Sequence, residues 1–408
     1  MRSLGIGSLV TAVLLVGCSS PASTGSQKSG VLPQCPADPT QRTEPCIDEV
    51  GLAICPTKTG YPGDGLAVCE PEAGKGMLVH YGPTDYDDPA QMEAFMLAPN
   101  TEDENCTYVR TPNADKTFVD SYSGRMRPHS HHLIVTMLQE AGFQENPLPA
   151  KCNLLDVVGA RWLVGSQEPQ IDISVAGAKA GAPEARVTDP NAPDYELAQV
   201  VPAKTPLRVD LHYVNTTDQP LLREAWIQLS ETDEAHAKTI VDMITFFQGK
   251  IDVPPDGDFT TVRAKCVANS DRYLGLVTGH AHSRMTRESV WHDKADGTSD
   301  LVYETYDWSE PGELFYRDGL QNPVANSTTK AFGGASGYQL VKKGESVSFE
   351  CEYHNPTSTE IKLGETTKTE MCNVFGMYYP TDGDVWSCAC ANSVCLDKIP
   401  AGVNPFAQ

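Results

Sequence analysis

Proline and glycine interrupt this chain so often that long helices have no room: 30 Pro and 33 Gly are spread over 408 residues. Proline removes a backbone donor and clashes within a helix, and glycine loses too much backbone entropy to favour one. Between the breakers, apolar residues alternate with a period of two, as in His132-Leu-Ile-Val-Thr-Met137, Leu207-Arg-Val-Asp-Leu-His-Tyr-Val214 and Trp226-Ile-Gln-Leu-Ser230. That is the pattern of half-buried strands. Only Pro89–Ala98, containing Gln91-Met-Glu-Ala-Phe-Met-Leu97, reads as a helix. The class expected is all-β. Beyond the first 33 residues about 370 remain, more than one core ordinarily serves. The expectation is two tandem antiparallel β-sandwich (jelly-roll-like) domains behind a small disulfide-rich N-terminal module.

Cys35, Cys46, Cys55 and Cys69 lie in a Pro/Gly-rich stretch with little apolar periodicity. A piece that short cannot bury enough surface alone, so residues 34–75 read as a loop module held by two disulfides of open connectivity. The sandwiches are expected over 76–234 and 235–400, with 401–408 as a tail. Residues 176–193, rich in Ala, Gly and Pro, read as a long surface loop. In the second sandwich, Asp293-Lys-Ala-Asp-Gly297 reads as a hairpin turn between Val290-Trp291 and Leu301-Val-Tyr303. It lacks the alternating acidic ligands of a calcium loop.

The first 18 residues read as an export signal: Arg2 is the positive start, and Leu9–Val16 is an apolar run too short to span a bilayer. Leu15-Val16-Gly17-Cys18 resembles the bacterial lipobox, which implies cleavage before Cys18 and lipidation of its thiol. Ser19 is not an inner-membrane retention signal, so the resemblance places the chain at the outer membrane, periplasmic or surface-exposed. The lipid is then its only membrane attachment, with residues 19–33 as a flexible tether. Setting Cys18 aside leaves 12 of 13 cysteines, an even number that favours six disulfides in an exported chain. The net charge of −23 excludes nucleic acid and docking on anionic lipid. A monomer is expected.

Three histidine groups stand out: Pro128-His129-Ser130-His131-His132, Asp210-Leu211-His212-Tyr213 and His280-Ala281-His282. Alternation along a strand puts His280 and His282 on one face, close enough for one metal. In a regular strand His129 and His131 share a face; adjacent His131 and His132 reach one ion only at a strand end or bulge, and Pro128 makes an irregular start reasonable. Spacing does not decide between them. Either Met371 or Met377 could add a thioether. With cysteines oxidised, any metal relies on His and Met, and imidazole plus thioether suits copper cycling between Cu(I) and Cu(II).

From Cys106 to Cys390 the motifs occur in the order found in the copper type II ascorbate-dependent monooxygenases. They are His131-His132 after Cys106, His212-Tyr213, His280-Ala-His282 and Glu370-Met-Cys-Asn373. The chain resembles that family, which includes peptidylglycine alpha-hydroxylating monooxygenase and dopamine beta-hydroxylase. The resemblance implies two coppers, one on each of two nine-stranded sandwiches facing across a water-filled cleft. His131, His132 and His212 correspond to the ligands of the electron-storing copper. His280, His282 and Met371 correspond to those of the oxygen-binding copper and so to the catalytic centre. Met371 is thereby preferred over Met377, and His129 loses its claim. The resemblance also implies disulfides Cys106–Cys152 and Cys351–Cys372, and Cys266 with Cys388 or Cys390, the other being left for Cys395. The cysteine that usually follows the double histidine is replaced by Leu138.

The implied reaction is hydroxylation of an aliphatic C–H bond by dioxygen, with ascorbate or a similar reductant. Three protein ligands leave positions open for dioxygen. At the positions of the peptide-hydroxylating member's carboxylate-binding Arg and Tyr stand Thr278 and Phe375, while Asn373 is kept. Neither Thr nor Phe offers a charged or phenolic contact to a carboxylate, so peptide amidation is not expected. Arg284 and Arg287 flank the site as surface charges or as a replacement cation. The substrate, a small molecule or peptide, stays open. The alternative is a non-enzymatic copper-binding lipoprotein for storage or delivery in the cell envelope.

Overall fold

In the computed structural model of the chain, the described residues lie within 32–396. Residues 50, 62, 154–155, 157–159, 167, 176–196, 256, 310, 318, 322–329, 332–338, 365, 367, 382–385 and 392–393 are excepted. The export signal, Cys18, most of the tether and the tail, together with the loop at 176–193, fall outside them.

The fold is nearly all β and largely antiparallel. Among the described residues the one α-helix, Pro89–Phe95, is capped by Asp88, whose carboxylate accepts the N–H groups of Ala90 and Gln91. The helix stops three residues before the expected Ala98, because Met96–Leu97 turns extended to pair with Leu221–Leu222. Among the described residues, no helix is long and apolar enough to cross a membrane.

Three-stranded pairing over Cys46–Ile47, Ala53–Cys55 and Ala67–Val68 forms the N-terminal module, with disulfides Cys35–Cys46 and Cys55–Cys69. Its small core of Cys46, Leu52, Ile54, Ala67 and Val68 closes on Trp226 of the next unit. Buried ion pairs Asp48–Arg125 and Asp64–Arg127 fasten the two together.

The first sandwich packs a five-stranded sheet against a six-stranded one. The five-stranded sheet runs, in order, Arg161–Ser166, Ser130–Met137, Pro206–Asn215, Thr101–Arg110 and Asn146–Lys151. Thr239–Ile240 still belongs to the first unit, pairing in parallel with Leu197–Val201. The second sandwich begins with Asp242–Gln248, in an eight-stranded sheet with Arg272–Ala281 and Cys372–Tyr379 at its centre. A five-stranded sheet backs it, so among the described residues neither unit shows the nine strands that the resemblance implied. The expected hairpin at 293–297 is formed, with Asp293 opposite Ser299.

The first core does not stop at the unit boundary. Met243, Leu276, Phe375, Met377 and Tyr379 of the second sandwich are part of the same buried cluster as Leu133, Trp162 and Leu211 of the first. Arg161 and Asp242 add an ion pair across the seam at 3.2 Å. Continuous apolar burial of this kind holds the two units face to face.

Among the described residues three further disulfides are Cys106–Cys152, Cys351–Cys372 and Cys266–Cys388. Of the two partners open to Cys266, the structure takes Cys388 rather than Cys390. Cys390 instead stands opposite Cys395 in the last strand pair.

Candidate metal centre

A bulge explains how two consecutive histidines share a face. His132 stands opposite His212, but the next pair joins Tyr213 to Ser130, leaving His131 as the extra residue. Upstream, His129 takes a left-handed φ of 72° and gives its carbonyl to the Val214 N–H. His131, His132 and His212 therefore converge, with ring centroids 4.9–5.3 Å apart and one ring nitrogen each within 4.8 Å of the others.

Two glutamates on one face of Thr101–Arg110 back this group. Glu102 Oε1 lies 3.0 Å from His212 Nε2, and Glu104 Oε1 lies 3.5 Å from His132 Nε2. A carboxylate accepts, so His212 Nε2 carries the proton and its Nδ1 keeps the lone pair. The Nδ1 atoms of both His132 and His212 are buried with no hydrogen-bond partner among the described residues. Buried unpartnered nitrogens aimed into a shared space are what a metal site presents.

The second group is built on two neighbouring strands: His280 pairs with Asn373, and Ala281 with Cys372, just after Met371. The His280 and His282 rings lie 5.4 Å apart at 89°. His282 Nδ1 bonds the Thr369 carbonyl at 2.9 Å, leaving a buried, unpartnered Nε2. Asn373 Nδ2 lies 3.5 Å from Met371 Sδ. Glu370 ties the two strands, accepting the backbone N–H of His282 at 2.9 Å and of Arg284 at 2.8 Å. Burial pushes its carboxyl up to about 7, against these hydrogen bonds. Beneath the strand, Gly279 leaves the space that the fully buried Glu288 carboxyl fills. Burial also pushes that carboxyl well above the usual range.

Burial, reinforced by neighbouring histidines, lowers His131 to about 4 and His132 and His280 well below the ordinary imidazole range. Burial likewise brings His282 down to about 4, against its bond to Thr369. At neutral pH these four rings are uncharged, the state in which imidazole binds a metal. The residues present fit copper: three imidazoles in one group, two imidazoles and a thioether in the other.

The two groups lie close together across the seam. His132 and His280 have ring centroids 5.5 Å apart, and Trp308 of the second sandwich lies 6.1 Å from His131. Trp162 stacks on Phe375 across the seam at 3.9 Å. The remaining space between His132, His280, His282 and Met371 is a cavity of about 40 Å3. Where the resemblance implied a cleft, the shared core brings the two sandwiches into contact beside the donors.

Other candidates fall to structural roles. His129 stands apart from the cluster, and Met377 is a core residue, 4 % exposed. Thr278 donates to the Gly312 carbonyl at 2.8 Å while lining the neighbouring cavity. Arg287 is paired with Glu350 and Glu352. Trp162, Trp308, Glu102, Glu104 and Glu288 carry no sequence signal.

Residues 321–404 match the model of the copper type II ascorbate-dependent monooxygenase C-terminal domain. The match supports that family, and a copper-dependent monooxygenase in general terms. Among solved structures, PNGase F, a glycosylasparaginase from Flavobacterium meningosepticum, aligns at 9 % identity and TM-score 0.30. That alignment covers 78 % of this chain and 98 % of that one. The STIV MCP aligns at 9 % identity and TM-score 0.22, covering 69 % and 98 %. Such low scores carry no argument about fold or function.

Proposed function

We propose that the protein is a copper-dependent monooxygenase that hydroxylates an aliphatic C–H bond, using two coppers, dioxygen and ascorbate or a similar reductant. The observation that carries this reading is the meeting of His131, His132 and His212 with His280, His282 and Met371, with buried unpartnered ring nitrogens on His132, His212 and His282. When bound, copper supplies the activation of dioxygen and the one-electron chemistry. The chain's own part is to hold the donors neutral, to orient them through Glu102, Glu104 and Glu370, and to exclude water by closing the seam. Unequal donor sets suit unequal tasks, since the soft thioether of Met371 favours Cu(I), the state that reacts with dioxygen. We further propose a lipid anchor at Cys18 and residence in the bacterial cell envelope.

The test is copper stoichiometry and ascorbate-driven oxygen uptake, in wild type and Met371→Ile. Two coppers per chain, with oxygen uptake lost in the variant, is the expected result. A second reading, a copper-holding lipoprotein without turnover, draws on the small volume of the cavity between the groups. One copper per chain, or oxygen uptake indifferent to Met371, would favour it.

A further inference from the structure

We propose that the space around Trp162 is the substrate site and that it takes an uncharged aromatic molecule carrying a hydrogen-bond acceptor, held by the indole N–H. This rests on the monooxygenase reading above. Trp162 comes from the first sandwich, is 6 % exposed, and stacks on Phe375 of the second with the rings 21° from parallel. Its six-membered ring lies over Gly165, where a Cβ would meet Cζ3 at 2.7 Å. Any side chain at 165 would displace the indole. The Nε1 atom is buried and finds no acceptor among the described residues. A buried indole N–H normally has a partner, so this one is a donor awaiting an acceptor.

Two cavities, of about 40 and 50 Å3, adjoin the stacked pair, and both are lined by His132, Ile134, Trp162, His280 and Phe375. One reaches Met371 and the other Leu276. Neither holds a ring while Phe375 covers the indole. A substrate ring would take the place of Phe375 as the sandwiches part, exchanging one aromatic stack for another. Its C–H bond would then face both donor groups.

Charge decides against an anionic substrate. Arg208 is the cation lining the first cavity, and its three nitrogens are committed: Nε to Cys106 Sγ at 2.8 Å, Nη1 to the Asn153 carbonyl at 2.8 Å, and Nη2 to Asp210. Glu104 and Asp210 line the same space. A carboxylate entering there meets Glu104 and an Arg208–Asp210 pair whose charges are spent on each other. The aromatic walls and the unpartnered indole N–H suit an uncharged ring bearing a carbonyl or ether oxygen.

The test titrates copper-free protein calorimetrically with acetophenone, ethylbenzene and phenylacetate. Acetophenone should bind, and Trp162→Phe should weaken it about fivefold, the worth of one neutral hydrogen bond, while leaving ethylbenzene unchanged. Phenylacetate should bind at least about tenfold more weakly than acetophenone. Phenylacetate binding as tightly as acetophenone, or acetophenone indifferent to Trp162→Phe, overturns the proposal. Should Trp162→Phe not fold, Phe375→Ala serves: uncovering the indole should tighten both neutral rings about threefold or more, and unchanged or weaker binding overturns the proposal. Copper stoichiometry and oxygen uptake are measured separately. If they fail while the titrations behave as expected, the monooxygenase reading falls and the aromatic site stands. If they succeed while the titrations fail, only the aromatic site falls.

Discussion

The carboxylate of Glu370 accepts the backbone N–H of His282 at 2.9 Å, so a side chain adjacent to Met371 fixes the strand that carries the histidine pair. With the second bond to Arg284, this joins the imidazole and thioether halves of one donor set. Glu370→Gln replaces one acceptor oxygen by an NH2 and leaves an amide facing a donor. Because burial disfavours the ionised carboxylate, wild-type stability should fall as pH rises towards 7, and Glu370→Gln should lack that fall, while binding Cu(I) more weakly at the methionine site and leaving the three-histidine site unchanged. Because Glu370 titrates near 7, the wild-type carboxyl is itself protonated at pH 5.5. Thermal melts at both pH values and competitive Cu(I) titration check it.

Removing the charge behind the three-histidine group should act on the metal without unfolding the sheet. Glu102→Gln loses the 3.0 Å partner of His212 and should weaken copper at that group about 10- to 100-fold. Glu104→Gln, with its longer 3.5 Å approach to His132, should cost less. Competitive Cu(II) titration and the Cu(II) electron paramagnetic resonance spectrum would register the change; equal, null effects would count against the orienting role.

Metal-free stability should fall with acid. His131 and His282 stay neutral in the folded chain down to about 4, whereas unfolded they protonate near 6.5. Between those values the unfolded state binds more protons, so stability is full above 6.5 and declines as pH falls towards 4. Roughly 3 kcal/mol is at stake for each ring. Melting temperatures of copper-free protein at pH 7, 5.5 and 4.5 provide the measurement, with His131→Asn and His282→Asn flattening the slope.

Loosening the N-terminal module should be possible at one residue. Asp64 pairs with Arg127, a guanidinium 4 % exposed that also bonds Glu224 at 2.8 Å. Asp64→Ala removes one of the two carboxylates and should cost about 3 kcal/mol, the low end for breaking a buried pair. Limited proteolysis should then cut between the module and Gly76 faster than in wild type. Arg127 gives its carbonyl to the Tyr213 hydroxyl at 3.0 Å, next to His212. Loss of the pair should therefore also reduce copper binding at the three histidines.

Most of the strands were legible because alternation and breakers are local properties: the hairpin at 293–297 and the strands carrying His132, His212 and His280 all follow from them. The helix end was misplaced because Met96–Leu97 answers to a partner more than a hundred residues away. The donor residues could be named from motif order, yet their convergence depends on a bulge that sequence allowed but did not require. Of what surrounds the donors, Thr278, Asn373 and Phe375 could be named from motif position, but Trp162, Glu102 and Glu104 could not. Trp162 meets Phe375, and Glu102 meets His212, only through sheet register and the seam between sandwiches, which no local pattern encodes.

The surplus residue at His131 makes the three-histidine group a matter of counting. From Leu133 to Met137 the ladder against the neighbouring strand is regular, and the irregularity is confined to the step between His132 and Ser130. Deleting Ser130 alone would let the chain run straight through, with His131 sliding into the vacated rung and its imidazole thrown to the opposite face. The sheet would survive while one donor left the group. A site of this kind can be switched off by reading frame within a strand, with every histidine still in place.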